Sequence, residues 1–540
     1  MGAGGGAARR RRGTAAGLFG AALLVAGTVL TSGGAYAQPS PPPGGHSAGQ
    51  GEDEDRDGQG GQGGHEGKKG EHGKNGPKAG SGESPGTTPT RRSGAPAATP
   101  GAGGAASAAR PAPAQGAVLA AAEDGPQAAV PTTQGLQQAL AAALADRGLG
   151  DVTFAVADAA GGQLLYGSGE NTAATPASTT KLATSVAALS LIPGDTRLTT
   201  KVVRGAAPGT ITLVGGGDPT LTALPVDQVQ IGGQPADADT APASLEALAR
   251  QTADTLTAAG TSSVKLDYDL SMYAGNPRHK NHDGENIALV VPLMVDEAKV
   301  DPKSRADAPA RVTDPALAAA EAFAGLLKAR GITVEGGAKP TEAPAAADAP
   351  VLGRVDSPTL GRLVERLLTT SDNQLAEAIA RQVALAAHQP ASFEGAAAAV
   401  TQELVRLGVP MGDVVLNDGS GLHRDNLIPP VVLVRLLSLA ASEQHPALRP
   451  VLTGLPVAGF TGTLGKRYGS ASGAAAAAGL IRAKTGTLSG VNTLAGTVVD
   501  ADGRLLAFAV MTRTPDTAPA DTARAAMDRI AARLATCGCH

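Results

Sequence analysis

The 540-residue chain has no tryptophan, and only 2% of its residues are aromatic. A core without large rings has to be built from Ala, Val, Leu and Ile. Cysteine is almost missing as well: Cys537 and Cys539 stand at the extreme C-terminus and there are no others. Two cysteines do not make a zinc site by themselves, and a Cys-x-Cys pair closes almost no loop. The pair is read as a frayed tail without a catalytic role, with a disulfide as the alternative in an exported protein. An excess of positive charge is absent too. The formal net charge is −4, and a nucleic-acid partner, which would call for a basic stripe, is not expected. No His-Glu-x-x-His occurs and the histidines are scattered, so a metalloprotease is unsupported, and no metal or other cofactor is expected. Gly419-Ser420-Gly421 has the wrong spacing for the nucleophile elbow of a lipase-like esterase.

What is present divides the chain. Residues 1–37 read as a cleaved signal peptide, with Arg9 to Arg12, an apolar stretch from Ala15 to Leu30, and Ala35-Tyr36-Ala37 as the cleavage site. Gly17, Gly20 and Gly27 interrupt the apolar stretch, which would span a bilayer poorly. Membrane contact is expected only through this segment if it stays uncleaved, and the protein is placed on the outer, cell-wall side of the cytoplasmic membrane. Residues 38–129 are Gly, Pro, Ser, Ala and charge without apolar periodicity, a disordered spacer.

Periodicity begins near Thr132. A helix is predicted to Arg147, then strands at Val152–Ala157 and Gln163–Tyr166, then a helix after Pro176 stopped by Pro193-Gly194. Residues 198–355 mix short strands with helices such as Ala243–Ala259 and Pro315–Arg330, and are read as an inserted domain. Ser357-Pro358 reads as a helix cap followed by a first-turn proline, and a further helix covers Gln374–Ala387. Leu480–Leu488, Val491–Val499 and Arg504–Thr512 read as consecutive antiparallel strands, before a helix at Ala520–Ala535. The fold class expected is α/β: a catalytic domain of residues 130–197 and 356–536, its antiparallel sheet fed from both ends of the chain and flanked by helices. Residues 537–540 form the tail.

The chemistry starts at Ser178-Thr179-Thr180-Lys181. At a helix start the lysine lies one turn from the serine on the same face, where it can take the hydroxyl proton. A lysine is a base only if burial or a nearby cation lowers its pKa. Spacing alone proves little, because Ser262-Ser263-Val264-Lys265 repeats it ahead of a strand. Ser371-Asp372-Asn373 lies between two helices, where it could equally be an N-cap. Lys484-Thr485-Gly486-Thr487 lies in a predicted strand, where a glycine marks close approach. The three elements in this order form the set found in serine β-lactamases and penicillin-binding proteins.

With these motifs the chain resembles the D-alanyl-D-alanine carboxypeptidase/endopeptidase family of class C, low-molecular-mass penicillin-binding proteins. The stretches from Gly215 to Leu221, Asn417 to Leu422 and Gly462 to Leu464 add to the likeness. The resemblance covers about 132–536 and implies a β-lactamase/transpeptidase-like catalytic domain with a mixed α/β insertion between the first two motifs. It also implies a hydrolase acting on peptidoglycan stem peptides, with β-lactam antibiotics as covalent inhibitors. Ser178 would be acylated, Lys181 would take its proton, and Ser371 would pass a proton to the leaving group. Asn373, Lys484, Thr485, Gly486 and Thr487 would bind substrate, the backbone N–H groups of Ser178 and Thr487 forming the oxyanion hole. Departures are His423 in place of a frequent serine, Val295-Asp296-Glu297 in place of an asparagine-containing stretch, and a compact insertion. A serine β-lactamase and an inactive wall-binding protein are the alternatives. No acid between Ser371 and Lys484 stands in the Glu-x-x-x-Asn setting of the first.

Overall fold

The computed structural model describes residues 128–540 except residue 342, so the signal segment and the spacer up to residue 127 lie outside the described residues. Five strands form one antiparallel sheet in the order Ile481–Leu488, Val491–Val499, Leu505–Arg513, Asp151–Asp158, Leu164–Ser168. The sheet takes strands from both ends of the chain, as the element order predicts.

Successive side chains of a strand point to opposite faces, and here the alternation sorts them by size. Phe154, Val156, Leu494, Val498, Phe508 and Val510 face one side, where they pack on helices Thr133–Leu144 and Ala520–Ala535. Ala155, Ala157, Ala495, Ala507 and Ala509 face the other. Alanines let helices approach closely, and Thr180–Leu191, Leu360–Thr370, Asn373–Ala386, Phe393–Arg406 and Pro430–Ala441 build the larger core there. Leucines supply most of its volume, and burying each fully is worth about 2 kcal/mol. The scarcity of aromatics is thus met by many small and branched side chains.

A second, mixed sheet runs in the order Val351–Thr359, Arg197–Arg204, Thr210–Val214, Ser263–Asp269, with short strands at Thr333–Val334 and Lys339–Pro340. It has its own core with helices Leu245–Ala258 and Pro315–Ala329. Glu297 joins this region to the helix Leu360–Thr370 by ion-pairing with Arg366, while Lys299 holds the same carboxylate at 2.6 Å.

Two expectations are corrected. Ser357-Pro358 does not cap a helix; it ends the strand Val351–Thr359, and the helix begins at Leu360 with Thr359 as its N-cap. The Ser357 hydroxyl is buried and accepts from the Leu198 N–H at 2.9 Å, so pairing with the neighbouring strand outbids the cap. Pro358 falls where the register slips between Asp356 and Thr359, and its missing N–H costs no ladder bond. Nor is the tail frayed. Cys537 and Cys539 are disulfide-bonded, the Thr132 N–H donates to the Cys539 carbonyl at 2.8 Å, and the Ala501 N–H donates to that of Cys537 at 3.2 Å. Among the described residues no helix is long and apolar enough to cross a membrane.

Candidate active site

Ser178 sits on a tight 3₁₀ turn, Ala177–Thr179, that leads into the helix Thr180–Leu191. Residues three apart eclipse in such a turn, which places Lys181 Nζ 2.8 Å from Ser178 Oγ. Ala177 has φ 46°, a conformation that costs a non-glycine residue about 1–3 kcal/mol. Its surroundings hold it there: Thr493 and Thr179 hydroxyls donate to the Pro176 carbonyl, and the Thr180 hydroxyl to that of Ala177. Gly421, itself at φ 84°, lies against the same turn, and a Cβ on it would stand 1.9 Å from the Ala177 carbonyl oxygen. Gly421→Ala is therefore expected to push the Ser178 turn out of place and to lower acylation by fluorescent penicillin roughly 100-fold. Gel labelling rates beside a melting curve check this; a folded variant labelled at the wild-type rate would refute it.

The Lys181 amine is sealed from solvent. It donates to Asn373 Oδ1 at 2.7 Å and to the Ser420 carbonyl at 2.6 Å, besides facing Ser178. Burial presses its pKa down to about 8, against the upward pull of Asp418, Asp372 and Glu377. At pH 7 a lysine with that pKa is about one-tenth neutral, against about one part in 3,000 for an ordinary lysine. The shift is what makes this amine usable as a base.

Ser371 ends one helix in the left-handed conformation, φ 60°. Asp372 caps the next, its carboxylate accepting from the Leu375 N–H at 3.0 Å. In this motif Asp372 takes the cap, while Ser371 and Asn373 accept from the Lys484 and Lys181 amines. Asn373 turns to Lys181 and also donates to the Asn286 carbonyl at 3.1 Å. Lys484 Nζ, fully buried, donates to Ser371 Oγ at 2.8 Å and to the Thr485 carbonyl at 2.7 Å. Burial, and secondarily Lys181, push its pKa well below the ordinary lysine value. The Thr485 hydroxyl meets that of Thr463 at 2.8 Å. A Cβ on Gly486 would stand 2.2 Å from Thr493 Oγ1 and 3.0 Å from the Ser178 amide nitrogen, so this strand passes close to the nucleophile's N–H. Thr487 is exposed at the strand's end, in contact with Arg524. Ser178, Lys181, Ser371, Asn373, Lys484, Thr485, Gly486 and Thr487 thus line one site. The second Ser-x-x-Lys does not enter it: Ser263 to Lys265 lie in a strand, where residues three apart face opposite sides.

Sequence reasoning missed the clamp behind Lys181. The Ser420 carbonyl is aimed by a buried network in which Glu377 accepts the N–H groups of Gly419 and Ser420 at 3.1 and 2.9 Å. Asp418 accepts from the N–H groups of Gly421 and His423 and from Asn426. The Asn281 N–H donates to His279 Nδ1 at 2.9 Å, so His279 carries its proton on Nε2 and donates to Asp418 at 2.8 Å. Burial raises Glu377, helped by Asp418; Asp418 itself, despite burial, is held down to about 2 by its His279 and Asn426 bonds. Donor atoms of His279, Glu377 and Asp418 lie within 4.8 Å of one another, yet each is committed to protein partners. Of His423, the loop uses the backbone N–H. The sole sequence signal for this clamp was the glycine-punctuated stretch from Asn417 to Leu422.

The sequence matches the D-Ala-D-Ala carboxypeptidase 3 (S13) family over residues 136–309 and 302–534. It is 37% identical to carboxypeptidase DacB of Mycolicibacterium smegmatis over 421 residues, 76% of this chain and 86% of that one. It is 30% identical to the D-alanyl-D-alanine carboxypeptidase of an Actinomadura species, over 71% of this chain and 81% of that one. The fold superposes on penicillin binding protein 4 of Haemophilus influenzae with a TM-score of 0.57 at 20% identity, covering 73% of this chain and 97% of that one. This likeness supports the penicillin-binding fold class expected from the motifs.

Proposed function

The chain belongs to the D-Ala-D-Ala carboxypeptidase 3 (S13) family, and from that premise we propose that it is an exported, serine-type enzyme trimming peptidoglycan stem peptides through an acyl-enzyme on Ser178. At the level of class it is a hydrolase of D-alanyl-D-alanine. The observation that carries the serine mechanism is the buried Lys181 amine lying between Ser178 Oγ and Asn373 Oδ1, with Lys484 against Ser371.

Ser178 Oγ attacks the carbonyl carbon of the penultimate D-alanine, and its proton passes to the neutral Lys181 amine. The backbone N–H groups of Ser178 and Thr487 hold the oxyanion. As the C–N bond breaks, Ser371 hands a proton to the leaving amine and is resupplied by the lysines, so free D-alanine departs. Water then attacks the ester, Lys181 takes its proton, and Ser178 Oγ leaves with a proton. Asn373 orients Lys181 and the substrate amide. Thr485 and Thr487 hydroxyls meet the terminal carboxylate, with Lys484 behind them. Residues 198–355 form the inserted domain in this reading, and β-lactams acylate Ser178 in place of a stem peptide.

The β-lactamase alternative loses support from Glu377: it is buried with both oxygens engaged, by the two loop N–H groups and by Arg381 at 3.1 Å. Incubation with a stem pentapeptide and with a crosslinked muropeptide dimer tests the proposal. Release of D-alanine from the pentapeptide is expected; cleavage of the dimer would add endopeptidase action. Turnover of neither, with no penicillin labelling, would favour the inactive wall-binding protein.

A further inference from the structure

The terminal carboxylate of a D-alanyl-D-alanine end needs a cation at the cleft surface. Lys484, the conventional candidate by motif, is sealed: its amine is fully buried and spends its bonds on Ser371 and the Thr485 carbonyl. Burial, and the nearby Lys181 amine, also disfavour its charged form. The cation in contact with a side chain of the Lys484–Thr487 strand is another. Arg524 Nη2 donates to Thr487 Oγ1 at 3.2 Å, and its side chain is 37% exposed. Thr487 in turn faces Asn492 Oδ1 at 3.4 Å, so the hydroxyl is oriented from the buried side.

Helix stability does not explain Arg524. It lies near the start of the helix Ala520–Ala535, where a cation opposes the helix dipole. Asp521, 91% exposed, offsets part of its charge from 2.9 Å through Nη1. The helix around it is braced: Arg467 donates to the Arg524 carbonyl at 3.1 Å and to both oxygens of Asp528. Arg524 is therefore an anchored, partly exposed guanidinium with donors to spare, beside a hydroxyl at the edge of the cleft. Its planar fork matches a carboxylate.

We propose that Arg524, acting with Thr487, is the residue that selects substrates carrying a free carboxylate beside the leaving amine. The inference rests on the serine-hydrolase reading of the same site. An acid-ended dipeptide would draw Nη2 from Thr487 onto its carboxylate, and the Thr487 hydroxyl would donate to the same carboxylate in place of Asn492 Oδ1. An amidated end offers no negative charge and loses this contact.

The test compares a diacylated Lys-D-Ala-D-Ala peptide with its C-terminal carboxamide, in wild type and in Arg524→Ala, Arg524→Lys and Arg424→Ala. Arg424 is the competing cation nearby: it donates to the Ser489 carbonyl at 2.5 Å, past the strand's end. Arg524→Ala is expected to lower kcat/KM for the acid roughly 10- to 100-fold, chiefly through KM, and to change the amide less than about twofold. Arg524→Lys should recover part of the preference, and Arg424→Ala should keep it. An equal fall for acid and amide, a preference that survives Arg524→Ala, or a wild type indifferent to the carboxylate would each overturn the proposal. Penicillin labelling dependent on Ser178 is scored separately. Its absence would defeat the underlying mechanism, whereas its presence with an unchanged acid-to-amide ratio would defeat the role of Arg524 alone.

Discussion

Ser178→Ala is expected to abolish covalent labelling by fluorescent penicillin and to cut release of D-alanine by roughly 10⁵-fold or more. The loss is large because the hydroxyl supplies the bond that forms, and nothing else in the site is placed to replace it. Folding should be almost untouched. Ser178 is partly exposed, and the turn that carries it is held by Thr179, Thr180 and Thr493 rather than by its own side chain. The lysine would lose one of three polar contacts and keep Asn373 and the Ser420 carbonyl. A melting temperature close to wild type, beside an empty gel lane, separates loss of chemistry from loss of structure. Labelling that persists in Ser178→Ala would sink the mechanism.

Replacing Lys181 by methionine should come second in size. The general base is worth roughly 10²–10⁴ in rate, so labelling should slow by that factor. Stability should hold or rise, because an apolar isostere removes the cost of burying an amine, although Asn373 and Ser420 lose a donor. A merely structural lysine would show the opposite pattern, with activity falling only as far as the fold does. The wild type should carry a matching pH signature. Lys181 acts when neutral, and its pKa lies near 8. Acylation should therefore climb as pH rises from 6, nearly tenfold per unit at first, and level off above about 8. The same shift gives a stability trend. The unfolded chain keeps this proton up to the ordinary lysine value of 10.5 and the folded one loses it near 8, so this group makes stability rise with pH between those values. A flat acylation rate from pH 6 to 9 would contradict the assigned base.

Much of this was legible before any coordinates. The period of apolar residues located the helix after Pro176 and the three C-terminal strands, because covalent geometry alone sends side chains to alternate faces of a strand or one stripe of a helix. The motif order pointed to Ser178, Lys181, Ser371, Asn373 and Lys484. Where local reading failed, a partner distant in sequence had intervened. Ser357 reads as a cap, but the Leu198 N–H claims its hydroxyl. The C-terminal cysteines read as a loose end, but Thr132 and Ala501 fasten them.

The sequence by itself determined the chemistry available: a serine with a lysine three residues on, a second serine with an asparagine, and a lysine in a strand. Only the tertiary structure decided what that chemistry is worth. Lys181 becomes a base because packing removes it from water and brings in the Ser420 carbonyl from 239 positions away. A carbonyl has no side-chain identity to read, and Glu377 aims it from a helix that no local pattern joins to the Ser420 loop. Lys484, a cation in the motif, is turned to Ser371 by burial, which leaves Arg524 to meet the solvent at Thr487. Residue types and their period follow from the chain, but burial and charge pairing are properties of neighbours in space, and these set both pKa values and access.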